Sequence, residues 1–178
     1  MRISSSLLKI GLFALVSTGL FASFAVAQGD ELDPAYPPEL NIHLGEAPDA
    51  CDPALLQVRA TVSNIDEGGT LVVELYGDDA DNFLSREGRL RRVRVPATDG
   101  PMSICLTLGA PGTYALASYH DQDADRKLDR RWNFLPKEPF ALSLNRRLKL
   151  RKPRLEEAAV EIGEDGIDLD LNLRTGRG

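Results

Sequence analysis

The chain predicts a single all-β domain, an antiparallel β-sandwich of about seven short strands, and three observations carry that expectation. Apolar and polar residues alternate over short runs, turn residues recur between those runs, and no stretch of a dozen residues holds a helical period. Short strands with one apolar face each bury that face by packing two sheets together.

Leu56, Val58, Ala60 and Val62 alternate with Gln57, Arg59 and Thr61 as a half-buried first strand. Asp66-Glu67-Gly68-Gly69 makes a turn, Leu71, Val73 and Leu75 mark a second strand, and the two are expected to form a hairpin. A polar loop from Gly77 to Asp81 precedes Phe83-Leu84, which reads as an apolar plug over the end of the core. The third strand, Leu90 to Val95, points Val93 and Val95 inward and Arg92 and Arg94 outward. In the fourth, Met102, Ile104, Leu106 and Leu108 alternate with Ser103, Cys105 and Thr107. Cys105 then lies opposite the long apolar side chains unless a bulge intervenes, and the face carrying it stays open. Pro111-Gly112 turns the chain into a fifth strand, Thr113 to His120, and Leu155 to Val160 holds one helical turn at most. Ile167, Leu169, Leu171 and Leu173 alternate with Asp168, Asp170 and Asn172 in the last strand.

Upstream of the domain, residues 1–27 contain Arg2 and Lys9, no acid, an apolar run from Ile10 to Phe24 and a closing Ala25-Val26-Ala27. This is the pattern of a cleaved export signal, with an apolar run too short to span a bilayer comfortably and no second run after it. Residues 28–54 are acidic and carry Pro34, Pro37, Pro38, Pro48 and Pro53, so they read as an extended arm. The sandwich occupies 55–174 and a short tail 175–178. With 21 Lys+Arg against 27 Asp+Glu the net charge is −6, and losing Arg2 and Lys9 takes it to −8. That balance argues against a nucleic-acid partner. Export to the periplasm or beyond is an oxidising address, so Cys51 and Cys105 predict a disulfide.

Chemical content concentrates in His120-Asp121-Gln122-Asp123-Ala124-Asp125-Arg126-Lys127-Leu128-Asp129. Asp121, Asp123, Asp125 and Asp129, with the backbone carbonyl of Lys127, have the spacing at which a tight loop turns oxygens onto one hard cation such as calcium. Arg126 stands where helix–loop–helix calcium sites need Gly, and Trp132 where they need Glu, so this is not an EF-hand. The competing reading is a loop whose acids pair with Arg126, Lys127, Arg130 and Arg131. Two basic clusters, 86–94 and 146–154, hold most of the remaining positive charge. If they share a face, Arg92, Arg94, Arg147, Lys149 and Arg151 would form an anion patch; otherwise they are two solvated faces. His120 with Ser118 and Asp121 outlines a hydrolase triad on paper, without a Gly-x-Ser-x-Gly elbow; ending its strand and capping the acidic loop is the plainer role. Trp132, Phe134 and Phe140 suit packing of the long connection or a carbohydrate-stacking platform.

Pro111-Gly112-Thr113-Tyr114-Ala115, His120-Asp121 with its alternating acids, Lys127-Leu128-Asp129 and Pro136-Lys137-Glu138-Pro139-Phe140-Ala141-Leu142-Ser143 follow one another in that order. In this the chain resembles the domain of unknown function 2141 family of secreted bacterial proteins, from about Leu55 to Leu173. The resemblance implies an immunoglobulin-like or transthyretin-like sandwich and no established reaction. Asp123 and Asp125 stand where the family has Asn, and Arg126 where it has Gly.

The expectation is an exported, non-catalytic sandwich of the cell envelope with a calcium-type site at 121–129, serving an envelope ligand or protein. Polyanion binding through the two basic clusters is the first alternative, and a hydrolase using His120 the second.

Overall fold

A computed structural model of the chain describes residues 31–131, 135–147 and 149–175. Residues 1–27, read above as an export signal, together with Trp132, Phe134 and residues 176–178, lie outside them. The described chain forms eight strands: β1 (Gln57–Ser63), β2 (Thr70–Tyr76), β3 (Arg89–Pro96), β4 (Met102–Thr107), β5 (Gly112–Asp121), β6 (Phe140–Leu142), β7 (Val160–Ile162) and β8 (Ile167–Asn172). Among the described residues the helical content is two 3-10 turns, Pro38–Leu40 and Leu155–Glu157. No helix among the described residues is long and apolar enough to cross a membrane.

The strands form a sandwich. One sheet has the order β4-β1-β8; the other runs β3-β2-β5-β6, with β7 on β5 as well. Between them lie the inward phases that alternation identified: Val58, Ala60, Val62, Ile104, Leu106 and Leu171 from one sheet, and Leu71, Val73, Leu75, Val93, Val95 and Leu116 from the other.

Three expectations change. β1 and β2 do not form a hairpin: Gly68-Gly69 carries the chain from one sheet to the other, and both edges of β1 are taken by β4 and β8. Alternation shows that two strands have an apolar face, and sheet-changing turns and hairpin turns look alike in it. The sheets are not wholly antiparallel either, because β8 returns beside β1 in parallel register, Val58 opposite Ile167 through Ser63 opposite Asn172. Two strands, β6 and β7, are three residues each and too short for alternation to mark.

Residues 31–54 fold back on the domain. The Asp49 amide donates to Cys105 O (2.9 Å), and the Asp49 carboxylate accepts the Thr107 amide (2.6 Å) and an Arg91 fork (2.7 and 2.8 Å). Arg91 is on β3 and Thr107 on β4, the free edges of the two sheets, so one aspartate ties both edges to the arm. Cys51 and Cys105 are bonded, 54 residues apart in sequence. Cys105 sits on the outer side of β4, between inward Ile104 and Leu106, and is 1% exposed because the arm covers it.

Replacing both cysteines by serine should cost about 4 kcal/mol in the chain-entropy account of a loop this long. Urea unfolding of the oxidised parent and the variant measures it; an unchanged midpoint would mean that the arm's hydrogen bonds and ion pairs anchor it without the disulfide.

Candidate functional site

All seven residues of β2 are buried, although a strand in a two-sheet sandwich needs only one covered face. Its inward phase is Leu71, Val73 and Leu75. Its outward phase is Thr70, Val72, Glu74 and Tyr76, which register places beside Arg92 and Arg94 of β3 and Ala115, Ala117, Tyr119 and Asp121 of β5. Phe140 and Leu142 of β6 continue the same face. The outer side of the larger sheet is therefore largely apolar and has its own covering. Phe83, Leu155 and Ala158 close one end, with the Phe83 ring edge-on to Tyr76 at 5.4 Å. The plug expected at Phe83 thus covers this second layer and not the inter-sheet core. Arm and acidic loop close the other end.

Between the two covers a cavity of about 260 Å³ remains, floored by Tyr76, Ala117, Tyr119 and Phe140. Basic side chains converge on it from four directions: Arg89 and Arg92 from β3, Arg86 from the loop before it, Arg126 and Arg130 from the acidic loop, and Lys149, Arg151 and Lys152 from the segment ahead of Leu155. Glu74 is the one carboxylate among the described lining residues. Its Oε1 accepts from Arg89 Nη1 (2.7 Å) and Arg92 Nε (2.9 Å), and its Oε2 from the Tyr76 hydroxyl (2.6 Å). Burial, then the neighbouring Glu74 charge, drives the Tyr76 phenol far above its usual range and pushes Tyr119 up to about 12. Both phenols remain hydrogen-bond donors at any physiological pH.

Two further carboxylates stand behind the cationic wall. Glu157 accepts from Lys149 Nζ (3.0 Å), a fork from Arg151 (2.8 and 2.9 Å) and the Arg154 amide (3.0 Å), which folds the 149–157 segment. The Arg151 hydrogen bond, with those of Arg154 and Lys149, holds the Glu157 carboxyl well below its usual range. Glu46 of the arm takes a fork from Arg126 (2.6 and 2.9 Å). Burial alone would raise the Glu46 carboxyl, but the Arg126 and His43 hydrogen bonds outweigh it and leave it lowered. Arg86, Arg130 and Lys152 form no ion pair among the described residues.

Of the five residues expected to form a cation loop, the structure groups two. Carboxylate oxygens of Asp121 and Asp123 lie within 4.8 Å of one another and of Glu138, which was named above in the Pro136–Ser143 motif but not among the cation ligands. Asp125 instead accepts the Lys127 amide (2.8 Å), and Asp129 pairs with Lys137 (3.1 Å). Glu138 accepts the amides of Gln122 (2.9 Å) and Asp129 (3.0 Å); burial raises its carboxyl, and the charges of Asp121 and Asp123 raise it further. Asp121, fully buried, accepts from Arg94 (2.7 Å) and from the amides of Asp125 (3.2 Å) and Arg126 (3.0 Å). Arg126 keeps the left-handed backbone, φ 70°, that a Gly at this position would adopt freely. Its fork on Glu46 and its bond to Asn41 O (2.5 Å) offset that strain.

The expected anion patch divides. Arg92, Lys149 and Arg151 meet in the cavity. Arg147 lines a second, adjoining cavity. Arg94 faces outward from the sandwich as expected, yet the covering above buries it completely with Asp121. The paper triad is not assembled: Ser118 donates to Val72 O (2.9 Å), the His120 ring bonds Gly68 O (2.6 Å), and Asp121 lies on the opposite face of β5. His120 therefore fastens the β1–β2 turn and not the acidic loop. A Cβ at Gly69 would run into the Asp121 carbonyl, so the same turn abuts the start of that loop.

The sequence reading missed the sheet's outer layer and the contribution of Arg126 and Arg130 to the cavity. Its signal was present in Leu71-Val72-Val73 and Tyr114-Ala115-Leu116-Ala117, where both strand phases are apolar.

Breaking the Arg94–Asp121 pair leaves a buried charge without its partner. Asp121→Asn should therefore destabilise the domain by about 3–5 kcal/mol in urea unfolding; a loss within experimental error would mean that water reaches Arg94.

Among known proteins, the family model described as "Uncharacterized protein conserved in bacteria (DUF2141)" matches residues 61–169. No significant match to a curated protein or to a solved structure was found. The match spans β2 to β7, the acidic loop and most of the cavity wall, and the chain belongs to this DUF2141 family.

Proposed function

We propose that the protein is an exported, non-catalytic module of the cell envelope that binds an anionic ligand in the cavity on the outer face of its larger sheet. One observation carries this reading: eight basic side chains and one lining carboxylate surround an aromatic floor, on a chain whose overall charge is −6. Local charge thus opposes global charge, which concentrates anions at that place. Six of the eight bases are arginines, whose planar forks match carboxylate and phosphate oxygens two at a time. Glu74, Glu46 and Glu157 hold five of them in place before a ligand arrives, so little side-chain freedom is lost on binding. The leader-like residues 1–27 and the disulfide support export.

A second reading attaches to Asp121, Asp123 and Glu138, whose clustered oxygens suit a structural calcium ion that would brace the cavity's acidic-loop wall.

Arg86, Arg130 and Lys152 are free of ion pairs among the described residues, so truncating them leaves no carboxylate stranded. Arg86→Ala with Arg130→Ala and Lys152→Ala should weaken tripolyphosphate binding roughly ten-fold, at about 0.2–1 kcal/mol per charge, and added salt should weaken the parent in the same direction. Titration calorimetry measures both, and binding indifferent to the triple change and to salt removes the cavity as the site. For the cation reading, calcium at about 100 times its dissociation constant should add about 2.7 kcal/mol to the parent and little to Glu138→Gln, seen as a melting shift against EDTA. Equal shifts in both proteins would place any calcium elsewhere.

A further inference from the structure

The first cavity does not end the basic surface. A second cavity of about 390 Å³ adjoins it and shares two lining residues, Leu135 and Phe140. It forms where the chain leaving β8 meets β6: the Phe140 amide donates to Arg174 O (3.0 Å) and the Arg174 amide to Phe140 O (3.1 Å). That pair of bonds holds Arg174 directly across from the partition residue. Arg146 and Arg147 reach the same cavity from the turn after β6, whose Asn145 is fastened to the last strand through the Asp170 carbonyl (2.5 Å) and the Asn172 amide (2.8 Å). No carboxylate lines this second cavity among the described residues, and none of its three arginines has an ion pair there.

Three exposed arginines line this cavity without a carboxylate among its described residues, next to a cavity already in cationic excess, so the two together make one continuous surface that attracts anions. A ligand with a single anionic group in the first cavity would leave them unanswered. We infer that the two cavities are consecutive subsites of one track, which takes a linear oligoanion: a chain bearing repeated phosphate or carboxylate groups, with one or more groups in each cavity and its backbone crossing over Phe140 and Leu135. The inference rests on the anion-binding reading of the first cavity and adds the ligand's length and multiplicity to it. Arginine forks in both cavities accept either oxyanion, so the shared chemistry is an oligomeric oxyanion, and its source is an inorganic polyphosphate or an acidic oligosaccharide.

Binding at two linked subsites is length-dependent in a way that binding at one is not. Chains too short to cross the partition gain nothing from the second cavity; chains that cross gain the second contact at high effective concentration, and further length adds little. The test is titration of the full oxidised chain with tripolyphosphate and longer polyphosphates, and in parallel with galacturonic-acid oligomers from dimer to decamer, concentrations being counted as anionic groups. The expected result is a step in affinity of about ten-fold or more at one chain length, followed by a plateau, in one of the two series. The series that shows the step identifies the source. Arg146→Ala with Arg147→Ala should abolish the step while leaving the affinity for the shortest binding oligomer unchanged, and Arg146→Gln with Arg147→Gln should do the same with less change in bulk. Melting temperatures equal to the parent's exclude a folding defect as the cause.

Short oligomers that bind while longer ones bind no better would overturn the two-subsite track and leave the first cavity's role intact. A step that survives both double variants would overturn it as well. Absence of binding by every oligomer in both series would instead overturn the anion-binding reading itself.

Discussion

Strand β2 has an apolar inward phase and a mixed outward phase, Thr70, Val72, Glu74 and Tyr76, that is buried as well, and the rest of the molecule is arranged around that double demand. The inward phase is met by the facing sheet. The outward phase has no second sheet to cover it, so irregular chain does the covering: Phe83 from one loop, Leu155 and Ala158 from a 3-10 turn, and the arm with the acidic loop at the far end. Covers drawn from separate segments do not close over a sheet as a single layer would. The cavity is the part of the outer face that lies between them, which is why its floor is strand and its walls are loop.

Charge follows from the same geometry. An aromatic floor excludes water and makes each ionic contact at its edge stronger than on an open surface. Glu74 at that edge is acceptable because two arginines and a tyrosine satisfy it, and in return it orients both guanidinium groups. Glu46 and Glu157 do the same for the opposite walls from behind. Three acids thus organise a larger number of bases without neutralising them. Arg94 shows the contrasting outcome: one carboxylate, one guanidinium, complete burial, and two of its nitrogens, Nε and Nη1, without partners among the described residues. Such a pair contributes little net stability when intact and costs much when broken, so it specifies where the acidic loop docks more than it strengthens the fold.

Much of the sandwich was legible in the sequence because side-chain alternation is a local consequence of the pleat. Val58, Ala60 and Val62, or Ile104 and Leu106, face inward whatever lies opposite them. Strand partners were not legible in the same way. Nothing local distinguishes a β1–β2 hairpin from a sheet change at Gly68-Gly69, and β8 finds β1 across most of the chain. The candidate site was readable as two basic clusters and one acidic loop, but not as one place. Arg92 and Arg94 share a phase, and one lines a cavity while the other is sealed with Asp121. Position 126 was marked as unusual by a missing glycine, and only the fold shows that Glu46 compensates it from 80 residues away.

By itself the sequence determined the class of structure, the inward faces of the long strands and the pairing of the two cysteines. These depend on composition and on contacts a few residues apart, or, for the disulfide, on there being two cysteines and no other choice. Tertiary structure alone decided that bases at 86–92, 126–130 and 149–152 converge, that Arg146, Arg147 and Arg174 continue them beyond Phe140, and that Arg94 does not belong with them. The physical reason is that charge convergence is a property of long-range packing. It is set by which loops must cover an apolar sheet face, and no local pattern of residues encodes where those loops will meet.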